Sequence, residues 1–191
     1  MIITFCNQKG GSGKTTLSIL MALALENVGK HVAIIDRDPQ QTSARAIQHL
    51  QNIQASAVEI ANSPEGYEAV FIDTPPSLSK PLATAIQQSD CVVLVSSPSP
   101  ADLWSTQDSC DFVKGHISKN VPCRLLFNNV LQAARIARDL PALAKQIGLK
   151  PLNNSIARRQ AYQYAILQGW SALKPAECDE IRKAALEIVT L

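Results

Sequence analysis

Five short apolar runs rich in β-branched residues recur along this chain: "MIITFC" at 1–6, "HVAIID" at 31–36, "EAVFIDT" at 68–74, "CVVLVSS" at 91–97 and "CRLLFNN" at 123–129. Segments with helical patterning separate them, at about 14–28, 40–50, 79–88, 102–116 and 133–147. Runs that are apolar throughout read as strands buried on both faces. Their alternation with helices specifies an α/β fold: a doubly wound, mostly parallel sheet flanked by helices, with ligands outside the carboxyl ends of the strands. "AVEIA" (57–61) could add a short strand, and the last 35 residues read as helical, with breaks near Gly169 and Pro175. With 191 residues, 46% of them hydrophobic, the chain can bury a real core. No linker, repeat or low-complexity stretch divides it, so one domain over 1–191 is expected.

The first strand runs into "CNQKGGSGKTTL" (6–17) and then into a helix. A strand followed by glycines and a helix N-terminus presents a ring of backbone N–H groups that holds polyphosphate. Gly10, Gly11 and Gly13 permit that backbone path, Ser12 lies between them, and Lys14, Thr15 and Thr16 open the helix. In this chemistry Lys14 neutralises β- and γ-phosphate oxygens, and the Thr15 hydroxyl ligates Mg²⁺. One position departs from G-x-x-x-x-G-K-[ST]: Gln8 stands where the first glycine belongs, and Lys9 follows it.

Two acidic motifs end later strands. In "IIDRDPQ" (34–40), alternation puts Asp36 and Asp38 on one side, suited to metal and water. Asp38 is also a candidate helix cap ahead of Pro39. "VFIDTPPS" (70–77) delivers Asp73 at the end of an apolar strand, where a carboxylate reaches Mg²⁺ directly or through water.

Taken in order, "KGGSGKT", D-x-D-P-Q and D-T-P-P resemble the deviant Walker A motif, switch I and switch II of the ParA/MinD superfamily, and the resemblance extends over roughly the whole chain. It implies that Lys9 is the signature lysine, acting across a nucleotide-bound homodimer on the partner's phosphates. Asp38 then positions or activates the attacking water, Asp36 supports the Mg²⁺ region with Thr15 and Asp73, and Lys9, Lys14 and Asp38 form the catalytic set. The nucleotide site comprises residues 9–16, with Asn128 a candidate near the base. The implied function is that of a small ParA-like ATPase using ATP and Mg²⁺. It would dimerise on ATP, bind double-stranded DNA non-specifically and hydrolyse slowly under stimulation by a small ParB-like or cargo-adaptor protein, to segregate DNA or position a large cargo. The chain has no helix-turn-helix ahead of the loop, so operator binding is not expected of it.

Other members of the same superfamily are weighed on residues. An iron–sulfur relative needs a cysteine pair per subunit in glycine-rich loops, whereas Cys91 and Cys123 begin apolar strands and read as core. Three tyrosines and an "EIVTL" terminus do not make a tyrosine-kinase tail. A MinD-type membrane helix is basic and amphipathic. In "CDEIRKAALEIVTL", Asp179, Glu180 and Glu187 offset Arg182 and Lys183, so Ile181, Ala184, Ala185, Ile188 and Val189 are expected to pack on the domain. A metabolic or assembly P-loop enzyme remains the competing class, because the nucleotide motifs do not separate it.

A net charge of +2 neither argues for nucleic acid nor opposes it, so DNA contact needs a local patch. Arg158 and Arg159 sit where a helix dipole disfavours cations and read either as phosphate contacts or as a solvated face, with Arg135, Arg138, Lys145 and Lys150 as further contributors. In "SPSPADLW" (97–104), Trp104 reads as dimer interface or as core. Five scattered cysteines, an uncharged start and no run near the roughly 20 residues of a membrane span lead to a soluble, cytoplasmic expectation, without disulfides or membrane contact. The resemblance implies that the protein is also nucleoid-associated.

Overall fold

The computed structural model describes residues 1–191. Its elements in chain order are β1 (Ile2–Cys6), α1 (Lys14–Asn27), β2 (Val32–Asp36), α2 (Thr42–Asn52), β3 (Glu59–Ile60), β4 (Ala69–Asp73), α3 (Lys80–Gln88), β5 (Cys91–Ser96), α4 (Pro100–His116), β6 (Cys123–Phe127), α5 (Leu140–Ile147), α6 (Ala161–Gln168) and α7 (Pro175–Val189). All strand pairs are parallel, in the order β3-β2-β4-β1-β5-β6. The chain leaves β1 toward β2 on one side and leaves β4 toward β5 on the other. The strand order therefore reverses at the β1/β4 pair, the place where such sheets bind ligands.

Side-chain alternation explains why the strand runs are apolar without a break. Phe71 faces one layer, and Val70 and Ile72 face the other. The first layer is α1, α2, α6 and α7, packed on Ile3, Phe5, Ile34, Phe71, Val93 and Val95. Opposite lie α3, α4 and α5, over Val92, Leu94, Leu125 and Phe127. A sheet covered on both faces has no place for polar residues along its strands.

Helix α1 is buried from Leu17 to Leu25 without interruption. It lies between the sheet and α2, α6 and α7, as an all-round apolar helix must. The C-terminal helix covers it with Ile181, Ala184, Ala185 and Ile188, all buried. No helix is long and apolar enough to cross a membrane. The five cysteines are free thiols, with Cys91 in the core and Cys123 half-buried.

Three sequence readings change. The helix expected over 133–147 is a 3₁₀ turn at Arg135–Arg138 followed by α5, because Pro141 has no N–H to donate and sits at the start of α5. Helix α4 begins at Pro100, two residues early, since Ser99 accepts the Asp102 N–H as an N-cap with Pro at N1. Trp104 is not core: it is 75% exposed.

Because α7 closes the core over α1, Ile181→Ala is expected to lower the unfolding free energy by about 2–5 kcal/mol in denaturant titrations. A loss below 0.5 kcal/mol would mean that α7 does not pack as described.

Candidate nucleotide site

Asn7, the first residue after β1, is buried, and its Nδ2 donates to the Val95 carbonyl at 2.8 Å and to Thr106 Oγ1 at 3.0 Å. Its Oδ1 accepts the Lys9 N–H at 2.9 Å. Gln8 continues the attachment, with its backbone N–H on Ser109 Oγ at 3.0 Å and its side-chain amide on Asp108 at 2.8 Å. The loop therefore leaves the sheet stapled to a polar face of α4. Serines, threonine and aspartate on a face turned toward the protein were the available signal for this attachment, and sequence reasoning missed it.

The geometry also accounts for Gln8. Left-handed backbone occurs in the loop only at Gly11 (φ 77°) and Gly13 (φ 98°), while Gln8 keeps a negative φ that any residue adopts. Gly13 is constrained a second time. A Cβ there would lie 2.1 Å from Asn128 Nδ2, which donates to the Ser12 carbonyl at 2.9 Å. Asn128 thus braces the back of the loop from the end of β6, and Ser12 is buried beneath it rather than facing the cleft.

Gly13 is the N-cap of α1 and offers no side-chain cap, so the first N–H groups of the helix are free to bind an anion. They open into a cleft of about 430 Å³ lined by Gly10, Gly11, Gly13, Lys14, Thr15 and Thr16, and by Asp38, Gln40, Thr42, Thr74, Pro76 and Gln163. No hydrophobic residue lines it. The loop and the two acidic motifs, far apart in sequence, meet here. Lys14 is only 6% exposed, and its Nζ reaches the Lys9 carbonyl at 3.3 Å. Burial lowers its pKa, against the opposing pull of Asp73.

The two carboxylates at the strand ends are registered side by side, Asp36 beside Asp73. Their surroundings differ. Asp73 is fully buried, and neither of its oxygens makes a hydrogen bond of normal geometry. Burial pushes its carboxyl up to about 6, with the Thr15 hydroxyl pulling it down and the Asp36 charge adding to the rise. Asp36 is well partnered: it accepts Asp38 N–H at 2.9 Å, Ser43 Oγ–H at 2.6 Å and Ala44 N–H at 3.0 Å. The N-terminus of α2 is therefore capped by Asp36 and not by Asp38, because the helix starts at Thr42 rather than near Pro39. Asp38 closes its own turn on Gln40 N–H at 2.9 Å and still lines the cleft.

A hydroxyl and a buried carboxylate with free lone pairs are hard oxygen donors that suit Mg²⁺, whose remaining positions are filled by phosphate and water. Thr15 and Asp73 fit that role. Asp36 is less available as a direct ligand, since three of its four lone-pair sites already accept N–H and O–H groups.

The remaining expected residues lie outside the cleft. The Lys9 ammonium is paired with Asp102 at the start of α4, and Asp102 also accepts the Ser97 and Ser99 hydroxyls. Burial pushes the Asp102 carboxyl up, but these partners outweigh it and hold it below the usual range. Arg158 is exposed and makes no ion pair. Arg159 is not a free surface cation: it is half-buried and donates to Glu180 of α7 at 3.2 Å. That carboxylate offsets the cost of a cation beside the N-terminus of α6.

Gly13→Ala is expected to cost more than the roughly 1–3 kcal/mol of a strained φ alone, because the new methyl also strikes Asn128. Thermal melts of a double-mutant cycle should show Asn128→Ala to be less damaging in the Gly13→Ala background than in the wild type. Simple additivity would remove the proposed contact.

Residues 1–64 match the AAA domain family. The chain is 35% identical to the maintenance of carboxysome distribution protein A of Gloeobacter kilaueensis, over 91% of this chain and 84% of that protein. It is 24% identical to the protein of the same name from Halothiobacillus neapolitanus, over 98% and 95% of the two chains. Its fold matches that of a putative plasmid partition protein from Borrelia burgdorferi bound to AMPPNP, with a TM-score of 0.76, 20% identity and coverage of 99% and 98%. Relatedness of this degree along most of both chains agrees with the loop, the two acidic motifs and the topology, and the chain belongs to the ParA/MinD superfamily of P-loop ATPases.

Proposed function

We propose that this protein is a ParA-like positioning ATPase, which dimerises when it holds Mg²⁺-ATP, binds DNA without sequence preference in that state, and is released by hydrolysis. One observation carries the reading. A loop of this kind has two lysines, and only Lys14 serves its own cleft, while Lys9 is drawn away to Asp102. A lysine directed out of its own site acts on phosphate only when another subunit brings phosphate to it. Its pairing with Asp102 does not prevent this, because an ion pair at the solvent edge is worth about 1 kcal/mol or less and exchanges readily.

In its own subunit, Lys14 and the first N–H groups of α1 hold the phosphates, with Thr15 and Asp73 as the Mg²⁺ donors. Bound magnesium supplies charge neutralisation on the phosphate oxygens. Asp38, braced by its own turn, orients the attacking water from the wall of the cleft. Lys9 of one subunit then stabilises the charge that develops on the other subunit's transferring phosphoryl group. Thr74 ties this wall to the sheet, with its Oγ1 on the Phe5 carbonyl at 3.1 Å, so the segment after β4 is placed to respond to the terminal phosphate.

Arg158 supports DNA contact. It adjoins Val130, donating its backbone N–H to that carbonyl at 3.0 Å, and the exposed Arg135 and Arg138 follow on the same stretch of chain. A dimer doubles the patch, giving steeply salt-dependent binding. The relatives named for carboxysome distribution support a large protein assembly as cargo. In this reading a small adaptor stimulates hydrolysis, and the protein is a cytoplasmic, nucleoid-associated ATPase of one domain.

The deciding experiment is binding to a random-sequence duplex in ATP, in ADP and without nucleotide at one fixed salt concentration. Retention in ATP alone is expected, and no binding by folded, ATP-loaded protein would overturn the positioning role in favour of a metabolic P-loop enzyme. Lys14→Ala should lose nucleotide binding. Asp38→Ala should bind ATP and dimerise while turnover falls roughly 10²-fold or more. Lys9→Ala should retain ATP in the monomer and lose hydrolysis by about 10³-fold. Normal turnover in either of the last two variants would remove that residue from its role.

A further inference from the structure

Helix α7 lines no part of the phosphate cleft, yet two of its carboxylates fix one end of it. Glu180, only 14% exposed at the side chain, accepts the Ala157 N–H at 2.7 Å and the Tyr162 hydroxyl at 2.7 Å on one oxygen, and Arg159 Nη2 at 3.2 Å on the other. Two turns further along the helix, Glu187 accepts the backbone and side-chain N–H groups of Asn153 and Asn154 at 2.7–3.2 Å. Between Leu152 and α6 the chain has no regular helix or strand of its own, so these bonds hold it in place together with a bridge between Val130 and Ala157.

The segment held in this way forms a wall. A second cavity, of about 100 Å³, lies between Asn129, Arg159, Tyr162 and the glycine loop. It shares Gly11, Gly13, Thr16 and Gln163 with the phosphate cleft. At that volume it cannot contain a nucleoside by itself. It adjoins the cleft that carries Lys14 and Asp38. Arg159 presents a planar guanidinium there, and its buried Nε has no hydrogen-bond partner. A flat cation of this kind is suited to lie against a purine ring.

We propose that Glu180 is the positioning residue for the base end of the nucleotide site, holding Arg159 and Tyr162 as the surface against which the purine lies. The inference rests on the nucleotide reading above and adds a residue to it. A carboxylate is needed because three donors converge on it. The isosteric amide keeps a single acceptor oxygen and turns its own N–H₂ toward one of those donors, which disorders the wall without changing its volume.

The test is calorimetric titration of the wild type, Glu180→Gln and Arg159→Gln with Mg²⁺-ATP and with Mg²⁺-tripolyphosphate, alongside thermal melts. Tripolyphosphate reports the phosphate loop alone, and the ratio of the two affinities reports the nucleoside end. In Glu180→Gln, ATP affinity is expected to fall about tenfold with tripolyphosphate affinity unchanged. Equal losses on both ligands, or none on either, would overturn the proposal, since a role in stability alone moves the two together. If the melt shows Glu180→Gln unfolded, Arg159→Gln decides by the same selective loss or its absence. A folded wild type that binds tripolyphosphate no more weakly than ATP would overturn the base-end assignment and leave the phosphate loop standing. A folded wild type that binds neither would overturn the nucleotide reading as well.

Discussion

The complete burial of α1 is the constraint from which the site follows. A helix that is apolar on every side cannot rotate or slide without exposing part of that surface, and each fully buried Leu or Ile is worth about 1.5–3 kcal/mol. With Leu17 to Leu25 locked between the sheet and three other helices, the position of the helix N-terminus is fixed to the point where the strand order reverses. Its unpaired N–H groups and Lys14 are thus held in place by hydrophobic packing a turn or more away. Preorganisation of this kind spares the protein the work of assembling a phosphate site around each ligand.

The polar floor of the cleft is balanced differently from the core. Lys14 and Asp73 are both buried, each shifted toward its neutral form by burial, and each only partly compensated by the other. Asp36, adjacent to Asp73 across the sheet, instead accepts three hydrogen bonds. One carboxylate therefore holds the architecture of the α2 end, and the other is left with unpaired oxygens. An unsatisfied buried carboxylate is costly to a fold, and Asp73 carries that cost beside the cleft.

Two outer helices then act on the cleft from opposite sides. Helix α4 staples the loop through Asn7 and Gln8 and sets Lys9 against Asp102, close to the exposed Trp104. Helix α7 straps the segment between α5 and α6 through Glu180 and Glu187. Each attaches to a loop through its side chains, so the loops of the site are ordered by helices that contribute no cleft-lining residue.

The alternation of apolar runs and helical segments determined the fold class, because a period of apolar residues that fits buried parallel strands fits little else. The glycine loop and the two acidic motifs were legible for a related reason: each is a local pattern at a strand end, and parallel strands deliver their ends to one edge. What the chain does at long range was not written locally. The capping of α2 by Asp36 in place of Asp38 depended on where the helix started. The exposure of Trp104 depended on which face of α4 the sheet covered, and the withdrawal of Arg159 from the surface depended on Glu180, a partner 21 residues away on another helix. Sequence alone determined which chemistry is present and at which edge of the sheet it gathers. Tertiary structure decided which charges are spent on holding loops and which are left for a ligand, because that division depends on burial and on partners that only packing brings together.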